Sequence, residues 1–310
     1  MKNALSFARE VKEELVNTKF DKERCSAMLA GFIRVNGAVG FSSGETTLTI
    51  SSQHSKTIKF FFIMIKELYG IGIKTNFEKG QKLSKNISYS LFITEQVDEI
   101  LTDLKIDLLS DEIDMSYFGD ENIYGGYLAG TFLASGSVNS PQNSNYHLEL
   151  VTQYEEYAKS LRKLISRAKY HNFTPRVCAR RNKYIVYIKH SAQVASFLVV
   201  MGAVNSCLEF EGIRVDRDYR NANHRLEMCD IANMKKTVDA GKEQVKIIKK
   251  LGLGEIKSEK ARIVAQVRLD NPEASLLELS DILYEEYNLD ISKSNLNHIF
   301  RSIKQKYLEK

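Results

Sequence analysis

Two spacings of apolar residues run along this chain, and the point where one gives out divides it. Up to about residue 201, stretches with apolar side chains at helical spacing alternate with stretches of strict apolar–polar alternation. LAGFIRVNG, residues 29–37, reads as a helix closed by Gly37, a residue free to take the left-handed conformation that ends many helices. Strand-like runs follow at 38–41 and 46–52; in the second, TTLTIS has period two. SKTIKFFFIMIKELYG then predicts a helix with Ile58, Phe61, Phe62, Ile65 and Leu68 turned inward. Strands near 71–78 and 87–93 and a helix over about 95–104 complete the series.

The series is then written again. Leu29, Ala30, Gly31 and Gly37 recur as Leu128, Ala129, Gly130 and Gly136, each 99 positions on. Behind LAGTFLASG come a strand at 146–152, a helix at 155–169, strands at 175–180 and 183–189, and a short helix at 192–201. Helix, two strands, helix, two strands, helix, stated twice, predicts an α+β fold with an internal pseudo-twofold, resembling an isologous dimer in one chain. The small residues have a task in that arrangement. Ala30–Gly31 and Ala129–Gly130 let two helix backbones approach closely at the axis, where larger side chains would hold them apart.

After Glu209 only helical spacing remains. A long helix is predicted over about 233–251, ending before Gly252, and SEKARIVAQVRLDNP predicts a second, stopped by Asn271–Pro272. Ser275 and Glu278 form an S-x-x-E capping box that opens a third, with Leu276, Leu279, Ile282 and Leu283 inward. Residues 288–290 turn, and Ser292 caps a fourth helix with Leu296, Ile299, Phe300, Ile303 and Tyr307 on one face. Three short helices with a tight turn before the last resemble a helix-turn-helix reader. The expected division is 1–106 and 107–208 for the two halves, 209–254 for a linker and long helix, and 255–310 for the reader.

Composition adds limits. A hydrophobic fraction of 43% and a charged fraction of 27% over 310 residues are those of a globular protein with a sizeable core. No long apolar run marks a signal peptide or a membrane span, so a cytoplasmic, nucleoid-associated protein is expected. Cys25, Cys178, Cys207 and Cys229 form no C-x-x-C pair and are widely spaced, which argues against a zinc ribbon or a disulfide framework and for a reducing compartment. The net charge of +5 is unevenly spread: Tyr157 to Leu208 holds ten Lys and Arg and no acid, a field that attracts polyanions. Arg180, Arg181, Lys183 and Lys189 are the secondary polyanion contacts expected there; an ordinary solvated surface is the alternative. Residues 271–290 carry six acids and no base, whereas 291–310 carry five bases against Glu309. The opening turn of the last helix offers Ser292, Lys293, Ser294, Asn295, Asn297 and His298 to base edges or phosphates, with Arg301 and Lys304 placed to neutralise a backbone. A small helical bundle that binds a protein is the alternative there.

The two LAG segments resemble the LAGLIDADG helices of homing endonucleases, a family with the same αββαββα order. In that family an acid just before the final glycine of each motif holds the catalytic metal; the matching positions here are Asn36 and Ser135, and the earlier acid of the motif falls on Arg34 and Leu133. Neutral side chains cannot balance a dication between phosphates, so no metal, no cofactor and no catalytic residue is expected. Glu45 and Glu149, on adjacent strands, read as strand-surface acids rather than substitutes. A LAGLIDADG-like body without its acids, followed by a helix-turn-helix, resembles the WhiA family over nearly the whole chain: SFAREVKEEL, YLAGTFLASGSVN, RNANHRLEMCDIANMKKTVDAGKEQ and SLLELSDIL…ISKSNLNHIFRSI carry the likeness. In the family's junction motif N-C-E-T-A-N-x-x-K-T, Cys229, Ala232, Asn233, Lys236 and Thr237 match, Asp230 stands for the acid and Ile231 replaces Thr.

The resemblance implies a non-enzymatic protein that binds double-stranded DNA and regulates transcription in cell division and chromosome segregation, and in sporulation in some relatives. It also leaves room for a protein partner, from the transcription or division machinery, on the LAGLIDADG-like body. The competing expectations are a residual homing endonuclease, a maturase-like RNA binder, and a scaffold that contacts division proteins.

Overall fold

In the computed structural model, residues 5–42, 45–79, 87–107, 110–143, 145–167 and 171–309 are described. The chain divides into two compact units, Met1–Asp216 and Arg217–Lys310.

The first unit opens with α1 (Phe7–Asn17) and then states one motif twice. The first copy runs α2 (Lys22–Asn36), β1 (Gly37–Ser42), β2 (Glu45–Ser52), α3 (Ser55–Tyr69), β3 (Lys74–Lys79), β4 (Ile87–Ile93) and α4 (Val97–Asp103). The second runs α5 (Glu121–Ser135), β5 (Gly136–Val138), β6 (Leu148–Thr152), α6 (Glu155–Ser166), β7 (Arg176–Arg180), β8 (Lys183–Ile188) and α7 (Ser191–Met201). Each copy folds into a four-stranded antiparallel sheet of identical topology, β1-β2-β4-β3 and β5-β6-β8-β7. Strand alternation sends Leu48, Ile50, Leu91 and Ile93 of one sheet, and Leu148, Leu150, Val186 and Ile188 of the other, into the core beneath the helices.

α2 and α5 pack against each other along the pseudo-twofold axis. Their glycines are what permits it. A Cβ on Gly130 would fall 2.9 Å from Met28 Cα, and one on Gly31 would fall 3.0 Å from the carbonyl carbon of Tyr127. The two helices are also started alike, since Asp21 and Asp120 cap them by accepting from the backbone N–H groups of Arg24 and Asn122. These caps are again 99 residues apart, so the repeat reaches further back than the LAG letters.

Four expectations are corrected. Gly37 is extended, with φ −82°, as is Gly136 with φ −73°, because each helix passes straight into the first strand of its sheet with no left-handed turn. Glycine is needed there for space: a Cβ on Gly37 would meet the Ile33 carbonyl oxygen at 2.5 Å. On α3, Phe62 and Leu68 are only half-buried and Met64 takes an inward position. α6 ends at Ser166; Lys169, expected as its last residue, lies outside the described residues. The long helix, α8 (Val204–Leu251), begins almost thirty residues before the expected start. Its first part is polar on most sides, and Leu208, Val215, Tyr219 and Leu226 are exposed, so no single apolar stripe announces it. Its start is fixed from outside: the Glu14 carboxylate accepts from the N–H groups of Asn205 and Ser206 at 2.7 and 2.8 Å.

The second unit folds the end of α8 with α9 (Glu259–Asp270), α10 (Leu276–Tyr287) and α11 (Lys293–Leu308) around Ile248, Val264, Leu279, Leu283, Ile291, Leu296, Phe300 and Ile303. Arg268 is buried within it. Its guanidinium donates to the carbonyls of Asn271 and Ala274 at 3.2 and 2.6 Å and lies over the Phe300 ring, tying the loop between α9 and α10 to α11.

Candidate nucleic-acid interface

The turn that presents α11 is built from local signals. Ser275 and Glu278 close a reciprocal capping box at the start of α10. Asn288 ends that helix in the left-handed region, with φ 52°. Ile291 is buried beneath the turn, its carbonyl accepting from Ser280 Oγ at 2.7 Å, and Ser292 then caps α11 through the N–H of Asn295. With Leu296, Phe300 and Ile303 holding the inner face, Ser292, Lys293, Ser294, Asn295, Asn297, His298 and Arg301 are all exposed. The structure brings these seven to one end and one side of the helix. Lys304 stands apart: its ammonium is 2.6 Å from the Glu243 carboxylate of α8, in an exposed ion pair. That hydrogen bond lowers the pKa of Glu243. Asn297, Arg301 and Lys304 border a depression shared with Ala240, Glu243 and Gln244 of α8, so this stripe faces α8 on one side.

The acid-free block does not become one basic face. Alternation and register put Arg176, Arg180, Lys183, Tyr187 and Lys189 on the open face of the second sheet, whereas Lys159, Arg162 and Lys163 project from α6 on the other side. Acids from outside the block fold in among them. Glu149 accepts from Arg180 at 3.2 Å and pairs with His147 at 3.0 Å, and Lys159 is bonded to Glu155 and Glu156. Glu149 is therefore an engaged strand-surface acid; the side chain of Glu45 lies outside the described residues. Arg181 and Asn182 form the two-residue tip of the β7–β8 hairpin, both with positive φ (49° and 61°), as a type I′ turn requires. An arginine held in that region at an exposed tip is strained locally and fully open to solvent partners.

At the ends of the paired helices, Asn36 and Ser135 are both engaged with backbone groups. Asn36 donates across the axis to the Ala134 carbonyl at 3.0 Å and to Ser51 at 3.4 Å; Ser135 Oγ accepts from the N–H of Val151 at 3.2 Å. Arg34 reaches the Ser110 carbonyl and Asp111 between the two halves, and its guanidinium covers the Tyr157 ring; Leu133 is fully buried. Among the described residues, no group of three or more His, Cys, Asp or Glu comes together that could hold a metal ion. The donor set at the axis, two neutral side chains already bonded to backbone, does not fit the dication of a homing endonuclease.

One residue beside these positions was not anticipated. Lys12, on α1, lies against the Phe132 ring at 5.6 Å, and burial with no offsetting carboxylate brings its pKa down to about 8. It lines a polar cavity of about 370 Å³ with Asn36, Ser51, Gln53, His54 and Ser88. No sequence signal marks it, because its neighbours there lie 24 to 122 positions away.

A duplicated αββαββα body followed by a capped helix-turn-helix unit defines a LAGLIDADG-like helix-turn-helix protein. The family descriptions agree segment by segment: the WhiA N-terminal LAGLIDADG-like domain matches residues 22–107, the WhiA LAGLIDADG-like domain 124–220, and the WhiA C-terminal HTH domain 224–307. The chain belongs to the WhiA family. It is 38% identical over 309 residues to "Probable cell division protein WhiA" of Lactobacillus johnsonii, with 97% of each chain covered. It is 34% identical to the protein of the same description from Enterococcus faecalis, again with 97% of each covered. The crystal structure of full-length DUF199/WhiA from Thermatoga maritima shares the fold, with a TM-score of 0.58 at 24% identity over 99% of both chains. Among the described residues no helix is long and apolar enough to cross a membrane.

Proposed function

We propose that this chain is a non-enzymatic, sequence-reading protein of double-stranded DNA that regulates transcription in cell division and chromosome segregation. The observation that carries the reading is the exposed, capped opening turn of α11, a helix that holds no Asp or Glu. In that geometry the helix enters the major groove, Asn297 and Lys293 reach base edges, and Ser292, Ser294, Asn295, His298 and Arg301 hold the flanking phosphates. Lys304 joins them only by leaving Glu243. The "cell division" description of the relatives supports the process assigned here. Arg180, Arg181, Lys183 and Lys189 add backbone affinity from the duplicated body, or meet a protein partner there. Neutral, backbone-bonded Asn36 and Ser135 support a role without phosphodiester cleavage. Within the chain, the duplicated halves 1–106 and 107–208 serve as platform, 209–254 as connector and 255–310 as reader.

Replacing Lys293, Asn297 and Arg301 together with Ala should erase the preference between a selected promoter and random DNA. Preference retained by that variant, measured by competition binding, contradicts the assignment. Mg²⁺-dependent cleavage would restore the endonuclease reading, and tight intron-RNA binding would favour the maturase one.

A further inference from the structure

The cavity beside the paired helices has an uneven charge that the repeat itself exposes. Ser52-Gln53-His54-Ser55-Lys56 of the first half answers Thr152-Gln153-Tyr154-Glu155-Glu156 of the second. In the second half two glutamates stand in the first turn of α6, where carboxylates complement the positive end of a helix. In the first half no acid stands in the first turn of α3, and His54 caps it without a side-chain bond. Lys12 adds a further positive charge on the same side. Glu13, the acid next to it, is already held by Lys56 at 2.5 Å and by Arg9 at 3.5 Å. Among the described residues nothing anionic therefore faces Lys12. Of the rest of the lining, Ser88 and Ser51 bring hydroxyl groups, Ser51 Oγ also sharing a hydrogen bond with Ser90 Oγ at 3.0 Å, while Asn36 stays committed to backbone carbonyls.

We propose that this cavity is a phosphate-binding site, in which Lys12 and His54 hold a tetrahedral oxyanion and Ser51 and Ser88 donate to its remaining oxygens. The place that holds metal-binding acids in homing endonucleases is thus flanked here by a receptor of opposite charge. The phosphate is supplied either free in solution or by the backbone of DNA bound to the open sheet face. The second source rests on the DNA-binding reading above; the first stands without it.

The test is thermal unfolding of the full chain in chloride and in inorganic phosphate at equal ionic strength, for the wild type, Lys12→Met and His54→Ala. Methionine fits the volume and removes a desolvated charge, so Lys12→Met folds at least as well as the wild type. A free-phosphate site predicts a rise of about 2–4 °C in the wild type once phosphate is several times its dissociation constant. It also predicts no rise in Lys12→Met and a smaller one in His54→Ala. If only duplex DNA stabilises the wild type, Lys12→Met must lower the salt slope of binding by about 0.9, one phosphate contact. Equal responses of wild type and Lys12→Met to both probes, or no response of the wild type to either, overturn the site. Loss of sequence preference in the α11 variant is read separately, so failure here and failure of the reader remain distinguishable.

Discussion

Replacing Gly130 with Ala places one methyl group where two helix backbones meet. In an exposed helix the same change gains about 0.8–1 kcal/mol, because alanine loses less backbone freedom on folding. At Gly130 the new Cβ would lie 2.9 Å from Met28 Cα and 2.7 Å from its carbonyl carbon, and neither backbone atom can turn aside as a side chain can. Carbon atoms rest about 3.5–4.0 Å apart, so α2 and α5 must separate by on the order of 1 Å at the axis. That gap loosens Leu29, Phe32, Leu128 and Phe132, all fully buried. Overpacking of this kind costs about 1–3 kcal/mol, and the loss of contact along both helices adds to it, leaving a net destabilisation of about 2 kcal/mol. Gly212 supplies the internal control: it is helical and exposed, with nothing within 4 Å of an added Cβ. Gly212→Ala should gain up to about 1 kcal/mol. Hydrogen exchange in urea, followed in segments 22–36 and 121–135, isolates the first unit from the second. Gly130→Ala as protected as Gly212→Ala would refute the backbone-contact account of the repeated glycines.

Three further expectations can be measured separately. Arg268→Leu leaves the carbonyls of Asn271 and Ala274 without their donor and should destabilise the second unit by about 2–3 kcal/mol, read as protection of α9 to α11; unchanged protection assigns the loop to other contacts. Lys12 titrates at about 8 in the folded chain against an ordinary value of about 10.4, so the unfolded chain binds more protons between these values and stability rises with pH across that window. In chloride buffer, Lys12→Met should be the more stable protein at pH 7.5, by a margin that shrinks towards pH 10; a pH-independent margin contradicts the burial of the ammonium. Arg181→Gly relieves the left-handed backbone at the hairpin tip and should stabilise the first unit by about 1 kcal/mol while weakening DNA binding; unaltered DNA affinity would move this hairpin out of the interface.

Much of the architecture is legible because the sequence repeats its constraints. A small-residue frame returning after 99 residues, each time before the same order of periodic runs, states the duplication without any coordinates. The C-terminal helix-turn-helix is legible through chemistry that acts locally, namely the Ser275–Glu278 box, the turn before Ile291 and the Ser292 cap. What escapes sequence reasoning is set by distance along the chain. Lys12 meets Asn36, His54 and Ser88 only once α1 has docked, and Lys304 finds Glu243 from 61 residues away. The acid-free block misleads for the same reason: Glu149 lies outside it in sequence and inside it in space. The first part of α8 lacks the one-sided apolar pattern by which helices are recognised, so its continuity was hidden although its residues are ordinary helix formers.

The most direct test of the central claim is selection and sequencing of genomic fragments bound by the full chain and by the Lys293→Ala, Asn297→Ala, Arg301→Ala variant. The full chain should enrich a small set of promoter fragments sharing a common site, while the variant binds without enrichment. Enrichment of the same fragments by both proteins contradicts the claim and transfers sequence reading from α11 to the duplicated body.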